Sequence, residues 1–157
     1  MTGWRIGYTA GAAPIIKAMA KLQGQSTSCP NSIAQYAAIA ALTGDQTIIQ
    51  EMAAIFKKRR QLIINGLNSI DGITCEEPKG AFYVFPNIST FLNKSYQNIL
   101  IKSSHDLSML LLDKTFVVTV AGDCFGAPEN IRFSYATSDE VILKMIDRIK
   151  PIFDSIK

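Results

Sequence analysis

The chain has 157 residues, of which 48% are hydrophobic and 18% are charged, and this balance is typical of a folded globular protein and excludes an intrinsically disordered chain. Its formal net charge of +3 is small, and the one dense cationic run, KKRR at 57–60, falls within a helical pattern. We interpret that run as a solvated helix face and expect no nucleic-acid partner. No apolar stretch approaches the roughly 20 residues of a membrane-spanning helix, and the amino terminus has no signal-peptide pattern, so we expect no membrane association.

The cysteines and the single histidine do not form the pattern of a disulfide frame or a metal site. Cys29, Cys75 and Cys124 are odd in number and far apart, and no C-x-x-C motif occurs. This usage favours free thiols in a reducing compartment, so we expect a cytoplasmic protein without a bound metal. His105 has no cysteine or histidine near it in sequence, and we interpret it as a surface or helix-capping residue rather than a catalytic one.

The first part of the chain predicts one strand and three helices. The opening MTGWRIGY is typical of a buried strand that leads into a ligand-binding turn. In GAAPIIKAMAKLQGQ, Pro14 suits a first helical turn, and SIAQYAAIAALTG predicts a helix that is apolar almost all round, as if buried between layers or against another subunit. Asp45 is the predicted N-cap of a third helix, which runs for over six turns through residues 46–70.

The rest of the chain predicts short strands and helices in alternation. ITCEE and AFYVFP are expected strands on either side of a PKG turn, and NISTFLNKSYQNILIKSS is expected to be a polar loop that ends in a helix start. HDLSMLLLDK predicts a helix, FVVTVAG and NIRFSYA predict strands, and TSDEVILKMIDRIKPIFDSIK predicts a terminal helix capped by Ser138 or Thr137. This order predicts an α/β sandwich over residues 47–157, led by the long helix, with residues 1–46 in a separate domain.

Arg5 and Arg132 have the surroundings that most indicate a ligand. Each lies in an apolar segment beside a glycine turn, TGWRIG for Arg5 and AGDCFGAPENIRFSYA for Arg132. Burying a guanidinium is costly unless an anion pairs with it, and its planar fork matches a phosphate or a carboxylate. Two such arginines indicate a ligand with two anionic groups, although a salt bridge to a nearby acid accounts for each arginine about as well.

Four motifs together resemble a known family. MTGWRIGY, QSTSCPNSIAQYAAIAAL, PKGAFYVFP and GDCFGAPENIRFSYATS resemble, in this order and at these spacings, segments of the pyridoxal-phosphate-dependent class I aminotransferases, and they look most like the bacterial-type aspartate aminotransferases. The resemblance covers essentially the whole chain. It implies the carboxyl-terminal portion of a fold-type I α/β enzyme, with the end of the large cofactor-binding domain at 1–46 and the small domain at 47–157.

The resemblance also implies roles for individual residues. Arg5 matches the arginine that pairs with the phosphate of pyridoxal 5'-phosphate, and Arg132 matches the arginine that binds the α-carboxylate of the substrate. Phe82 matches a residue near the active-site entrance, on the domain that closes over the substrate. Cys29 stands where the family commonly has asparagine, so no role is implied for it. No catalytic residue and no metal ligand is implied within the chain, because the family's Schiff-base lysine would lie upstream of Met1.

The implied activity is the transfer of an amino group between an amino acid, in first place aspartate, and a 2-oxo acid, by an enzyme whose complete form is a homodimer. We expect the isolated chain to be inactive, because Lys17, Lys21, Lys57 and Lys58 lie in helical patterns that predict solvent exposure and so are poor imine formers. Two alternatives stay open. One is a non-catalytic dimerisation or interaction module, and the other is an enzyme of the same fold that acts on an aromatic amino acid, on kynurenine or on a carbon–sulfur bond.

The two parts of the chain are expected to differ in order. Residues 1–44 are expected to expose apolar surface, which would make the chain prone to aggregate or to form oligomers. The segment from Asp45 onward is expected to be better ordered, because it contains both the strands and the helices of its own sandwich.

Overall fold

The computed structural model describes the backbone of residues 1–157 and every side chain except that of Thr2. It divides into two compact units, Met1–Gln50 and Glu51–Lys157. Short 3-10 helices occur at Thr2–Trp4, Ser89–Phe91 and Gly122–Phe125. The other elements in the described residues are, in chain order, α1 (Ala13–Ser26), α2 (Ser32–Thr43), α3 (Thr47–Asn68), β1 (Tyr83–Val84), β2 (Lys94–Tyr96), β3 (Ile99–Ile101), α4 (Ser104–Thr115), β4 (Val120–Ala121), β5 (Ile131–Ser134) and α5 (Asp139–Asp154).

Local sequence signals start the helices of the first unit. Pro14 lies in the first turn of α1, where the N–H that proline lacks would have no partner in the helix. The Asn31 side chain caps α2 by accepting hydrogen bonds from the backbone N–H of Ile33 (2.8 Å) and of Ala34 (3.3 Å). Both predicted helices are confirmed. Among the described residues, α1 buries none and α2 buries Ala34 alone, so the burial predicted for α2, between layers or against another subunit, does not arise within this chain and stays a prediction.

The opening segment differs from the strand that the sequence predicts, and that prediction is wrong. Thr2–Trp4 form a 3-10 helix, in which the Trp4 N–H donates to the Met1 carbonyl at 3.1 Å, and Arg5 follows in a turn with a φ of 52°. A strand needs a neighbouring strand to satisfy its backbone groups, and the described part of the first unit contains none. Trp4 is consequently 51% exposed rather than buried.

Helix α3 begins at Thr47, one residue after the predicted start, and the Asp45 carboxylate accepts a hydrogen bond from the Thr47 N–H at 2.9 Å. Its apolar residues are exposed near its start and buried near its end, where Ile63, Ile64 and Leu67 belong to the core of the second unit. The two compact units divide within this helix, after Gln50. The assignment of residues 1–46 and 47–157 to a large and a small domain stays a prediction.

The second unit contains a three-stranded antiparallel sheet in the order β1-β5-β4. Tyr83 of β1 lies opposite Ser134 of β5, and Arg132 of β5 lies opposite Val120 of β4. NIRFSYA is therefore confirmed as a strand and lies at the centre of the sheet, while the predicted strands AFYVFP and FVVTVAG shorten to two residues each.

Two further sequence-based predictions in this unit are wrong. ITCEE is not a strand, because the Asn68 side chain satisfies the backbone of Cys75, accepting from its N–H at 2.8 Å and donating to its carbonyl at 3.0 Å. The segment expected to be a polar loop contains a hairpin, in which β2 pairs with β3 and Gln97 takes a positive φ of 53° at the turn. Polar residues in this segment interrupt the apolar–polar alternation by which a strand is recognised in a sequence.

The core of the second unit forms between the sheet, the end of α3 and the two last helices. Ser138 caps α5 by accepting from the Val141 N–H at 3.3 Å, which confirms one of the two predicted caps. None of the helices in the described part of the chain is both long enough and apolar enough to cross a membrane. The largest fully buried side chains are Tyr135, Phe153, Ile63, Leu67, Ile70, Ile88, Ile101, Leu107, Leu111, Ile131, Ile142 and Ile149.

Because α3 is exposed near its start and buried near its end, substitutions of two of its isoleucines are predicted to differ in their effect on the stability of the protein. Ile63 is fully buried and Ile48 is 58% exposed. Ile63→Ala is expected to lower the free energy of unfolding by about 2–5 kcal/mol, because it leaves a cavity in the core. Ile48→Ala is the matched control and is expected to change it by about 0.5 kcal/mol or less. Urea denaturation followed by circular dichroism measures both, and equal losses would contradict the division of α3 into a buried and an exposed part.

The apolar surface of the first unit predicts self-association of the 157-residue chain. Its large exposed side chains include Tyr8, Leu22 and Tyr36, which are at least three-quarters exposed. Sedimentation velocity is expected to show oligomers, and the double variant Leu22→Gln, Tyr36→Gln is expected to reduce them. A clean monomer with a cooperative melt would contradict this prediction.

Candidate substrate-carboxylate site

Arg132 lies on the central strand of the sheet, on the face opposite to the core. Its neighbours Ile131 and Phe133 are buried, and because side chains alternate along a strand, Arg132 points the other way and is half-buried. The central position of β5 follows from its two partners, β1 and β4. The sequence-based expectation of an arginine in an apolar strand is thus confirmed for Arg132.

Two aromatic rings pack against the guanidinium of Arg132. Its Cζ atom lies 4.4 Å from the centroid of the Tyr83 ring and 4.7 Å from that of the Phe125 ring. The negative face of an aromatic ring attracts a cation, and this attraction offsets part of the cost of withdrawing the charge from water. The rings therefore stabilise a half-buried cation while leaving its N–H groups available for hydrogen bonding.

The polar edge of Arg132 has no protein partner within the described residues, since neither an ion pair nor a hydrogen bond involves it there. The other two half-buried arginines of the second unit behave differently. Arg59 pairs with Asp139 at 3.5 Å, and Arg60 pairs with Glu77 and donates to the Pro78 carbonyl at 2.9 Å. Arg132 thus differs from them in having a cationic edge that can accept an external anion.

The pairing of Arg59 and Arg60 also corrects the interpretation of KKRR as a purely solvated face. Lys57 and Lys58 are exposed, but the two arginines are half-buried and bind acids of other segments. The hydrogen bond from Lys58, at 2.6 Å, holds the pKa of Asp139 below its usual value. These ion pairs connect α3 to the first turn of α5 and to the segment before β1.

The loop that carries Phe125 is fixed by close packing and by hydrogen bonds. A Cβ on Gly122 would lie 2.0 Å from the Ala127 carbonyl oxygen and 2.3 Å from that of Asn130, so only glycine fits there. Gly126 ends the short 3-10 helix with a φ of 70°, a left-handed conformation that glycine adopts without strain. The loop is further anchored to α4, because the hydroxyl of the fully buried Ser104 donates to the Asp123 carboxylate at 2.8 Å.

Phe82 directly precedes Tyr83, one of the two residues whose rings pack on Arg132. The Phe82 ring centroid is 4.4 Å from that of Tyr83 and 6.4 Å from that of Phe56, and Phe82 is 36% exposed. Tyr135 supports this segment, since its hydroxyl donates to the Ala81 carbonyl at 2.9 Å and its N–H donates to the Phe82 carbonyl at 2.9 Å. Burial raises the pKa of Tyr135, which keeps its hydroxyl a donor.

Arg5 belongs to the first unit. It lies in the turn after the 3-10 helix, its side chain is exposed, and it is not in the strand that the sequence predicts. Among the described residues, no group of three or more histidine, cysteine, aspartate or glutamate side chains is arranged to hold a metal ion.

Sequence reasoning singled out Arg132 and Phe82 but missed Tyr83 and Phe125. Both aromatic residues lie within the quoted motifs PKGAFYVFP and GDCFGAPENIRFSYATS. Their convergence on Arg132 depends on the pairing of β1 with β5 and on the path of the glycine loop, which no local pattern encodes.

Burial raises the pKa of the Cys75 thiol to about 11, and this cysteine is therefore not a reactive group.

Comparison with known proteins identifies the family. The family model described as "Aminotransferase class I and II" matches residues 1–149. The aspartate aminotransferase of Rhizobium meliloti (strain 1021) is 44% identical over 157 residues, covering 99% of this chain and 38% of that protein. The aspartate/prephenate aminotransferase of Cereibacter sphaeroides (strain ATCC 17029 / ATH 2.4.9) is 46% identical over 151 residues, covering 96% of this chain and 38% of that protein.

A solved structure agrees with these relatives. The crystal structure of the aspartate aminotransferase from Rhizobium meliloti superposes with a TM-score of 0.91 at 43% identity, over 100% of this chain and 40% of that one. The chain therefore spans about two-fifths of the length of the proteins it matches, and within that span it has their α/β fold. Since the family model covers nearly all of its residues, the chain belongs to the class I and II aminotransferases.

Proposed function

We propose that this chain acts as the carboxyl-terminal portion of an aspartate-type aminotransferase, which transfers an amino group between an amino acid and a 2-oxo acid with pyridoxal 5'-phosphate as cofactor. The observation that carries the proposal is the guanidinium of Arg132, stacked against two rings and without an acidic partner among the described residues. Family membership supports the reaction class. Aspartate is the first candidate substrate because two similar proteins are named as acting on it.

Arg132 is the proposed ligand of the substrate's α-carboxylate. A planar guanidinium binds a carboxylate through two parallel hydrogen bonds, which fixes orientation as well as position. Each such charge-assisted bond contributes about 2 kcal/mol when it is shielded from water. Phe82, which is partly exposed and stacks on Tyr83, is proposed to contact the substrate beside this carboxylate.

Arg5 is the proposed ligand of the cofactor phosphate. Its exposed cationic side chain fits a phosphate in charge and in accessibility. The cofactor, when bound, withdraws electrons from the α-carbon of the amino acid. The residues of this chain would contribute binding and orientation, by holding one anion of the cofactor and one of the substrate.

The proton-transferring lysine of the family has no proposed counterpart in this chain. Lys17, Lys21, Lys57 and Lys58 are exposed on helices, and Lys58 is paired with Asp139. A hydrated lysine ammonium is a poor nucleophile. We therefore propose that the isolated chain has no turnover and that activity requires a polypeptide that supplies this lysine, in a cytoplasmic homodimer.

Two other functions have specific support. The apolar residues exposed throughout the first unit favour a non-catalytic interaction module. The double name of the Cereibacter sphaeroides relative favours a same-fold enzyme with a second substrate. An aromatic amino acid, kynurenine and a carbon–sulfur bond remain the other candidate substrates, because substrate selection depends on side chains that this chain is not proposed to supply.

The proposal predicts a large effect of Arg132 substitution on amino-acid use. In a chimera in which this chain replaces the matching segment of the Rhizobium meliloti aspartate aminotransferase, Arg132→Leu is expected to lower kcat/KM for aspartate about a thousandfold, the equivalent of two bonds of about 2 kcal/mol each. Arg132→Lys is expected to recover only part of this, because an ammonium lacks the fork. Lys94→Leu, which removes an exposed strand cation, is the control. An unchanged kcat/KM in Arg132→Leu would refute the proposal.

The isolated chain gives a second prediction. Incubation with pyridoxal 5'-phosphate followed by borohydride is expected to label no single lysine stoichiometrically, as mass spectrometry of the peptides would show. The same treatment of the Rhizobium meliloti aspartate aminotransferase is the positive control. Stoichiometric labelling of one lysine of this chain would contradict the proposed need for a lysine from elsewhere.

A further inference from the structure

We propose that Tyr83 and Phe125 are positioning residues, which hold the guanidinium of Arg132 so that its N–H edge is presented, already oriented and partly dehydrated, to a carboxylate. The proposal deepens the proposed function and rests on it, because it assigns the carboxylate to Arg132. Its direct observation is the stacking of one cation against two rings, at 4.4 Å and 4.7 Å.

Each ring is held by its own element, independently of Arg132. Tyr83 lies in β1, opposite Ser134 of β5, and its other contact is the Phe82 ring at 4.4 Å. Phe125 ends the 3-10 helix Gly122–Phe125 and meets Phe85 edge-on, with 5.8 Å between ring centroids at an angle of 90°. Because β1 and the 3-10 helix each place a ring against the Arg132 side chain, together they restrict its conformations more than either would alone.

Holding the Arg132 side chain in one conformation lowers the entropic cost of binding an anion. A free arginine side chain has many rotamers, and ordering them opposes complex formation. Rings that already hold the guanidinium remove part of this cost before the ligand arrives. They also displace water from the cation, which strengthens the hydrogen bonds that it then forms.

Rings are suited to this task because they do not compete for the N–H groups. An aspartate or glutamate beside Arg132 would occupy the same donors that a substrate carboxylate needs, as Glu77 occupies those of Arg60. The face of an aromatic ring attracts the cation electrostatically, and it does not take up the N–H groups at the edge of the guanidinium. The same comparison explains how Arg132 remains half-buried without an ion pair among the described residues.

A purely structural role does not explain Phe125. This side chain is 49% exposed, so it contributes little to the core, yet the loop beneath it is fixed by Gly122 and by the Ser104–Asp123 hydrogen bond. A rigid loop that holds a half-exposed ring against a cation indicates that the position of the ring matters for what the cation binds.

The test measures how strongly acetate protects Arg132 from modification by phenylglyoxal, with the modified arginine located by mass spectrometry. The full 157-residue chain is used, so the measurement does not depend on activity. In the unsubstituted chain acetate is expected to slow the modification of Arg132, while the exposed Arg148 serves as the control in the same sample.

Four variants separate positioning from stability. Phe125→Leu and Tyr83→Leu are each expected to raise the acetate concentration for half-protection of Arg132 about three- to fivefold, the loss of one cation–π contact. Tyr83→Phe keeps the ring and is expected to retain the original value. Phe116→Leu, at a 79% exposed phenylalanine that is not among the rings packed on Arg132, is the matched control and is also expected to retain it.

The outcomes distinguish this proposal from the proposed function. An unchanged half-protection concentration in Phe125→Leu overturns the positioning role, while acetate protection itself leaves the carboxylate site standing. Absence of any acetate protection in the unsubstituted chain overturns both. If Tyr83→Leu perturbs the fold, seen as altered modification of Arg148 or altered circular dichroism, the half-exposed Phe125 decides the question.

Discussion

The contact between the Arg132 guanidinium and the rings of Tyr83 and Phe125 is the interaction on which the proposed carboxylate site depends. A half-buried charge is costly, and proteins usually offset the cost with an opposite charge, as Arg59 and Arg60 illustrate. Arg132 is stabilised instead by the faces of Tyr83 and Phe125. The Arg132 guanidinium therefore lies at the sheet surface with its N–H groups available to an anion, as a carboxylate site requires.

The two compact units are specified by different physical means. In the second unit, the end of α3, the sheet and the last two helices bury a shared core, so burial and local signals agree. In the first unit, Pro14 in the first turn of α1 and the Asn31 cap of α2 are local signals for the helix starts, but the two helices bury almost nothing among the described residues. Helices of this kind gain little from packing within their own unit, although packing normally supplies most of a helix's stability.

The parts of the structure that the sequence predicted well are those fixed by local chemistry. A few neighbouring positions suffice to recognise the Ser138 cap of α5, the start of α3 after Asp45 and the apolar strand around Arg132. The failures depend on partners distant in sequence. The segment before Arg5 lacks a strand to pair with in its unit, and Cys75 obtains its hydrogen bonds from the Asn68 side chain rather than from a strand. The rings on Arg132 were missed for the same reason, because the register of β1 against β5 is a tertiary property.

The two rings on Arg132 are positioned by backbone geometry at residues that do not contact the cation. Tyr83 is placed by strand pairing, which tolerates many side chains provided that the register is kept. Phe125 is placed by a turn in which Gly122 touches the Ala127 and Asn130 carbonyl oxygens and Gly126 takes a positive φ. A side chain at either glycine would move the loop, and the ring would move with it. The position of the Phe125 ring beside Arg132 therefore depends on these two glycines, so the proposed carboxylate site would be a property of the loop and the sheet together rather than of one arginine.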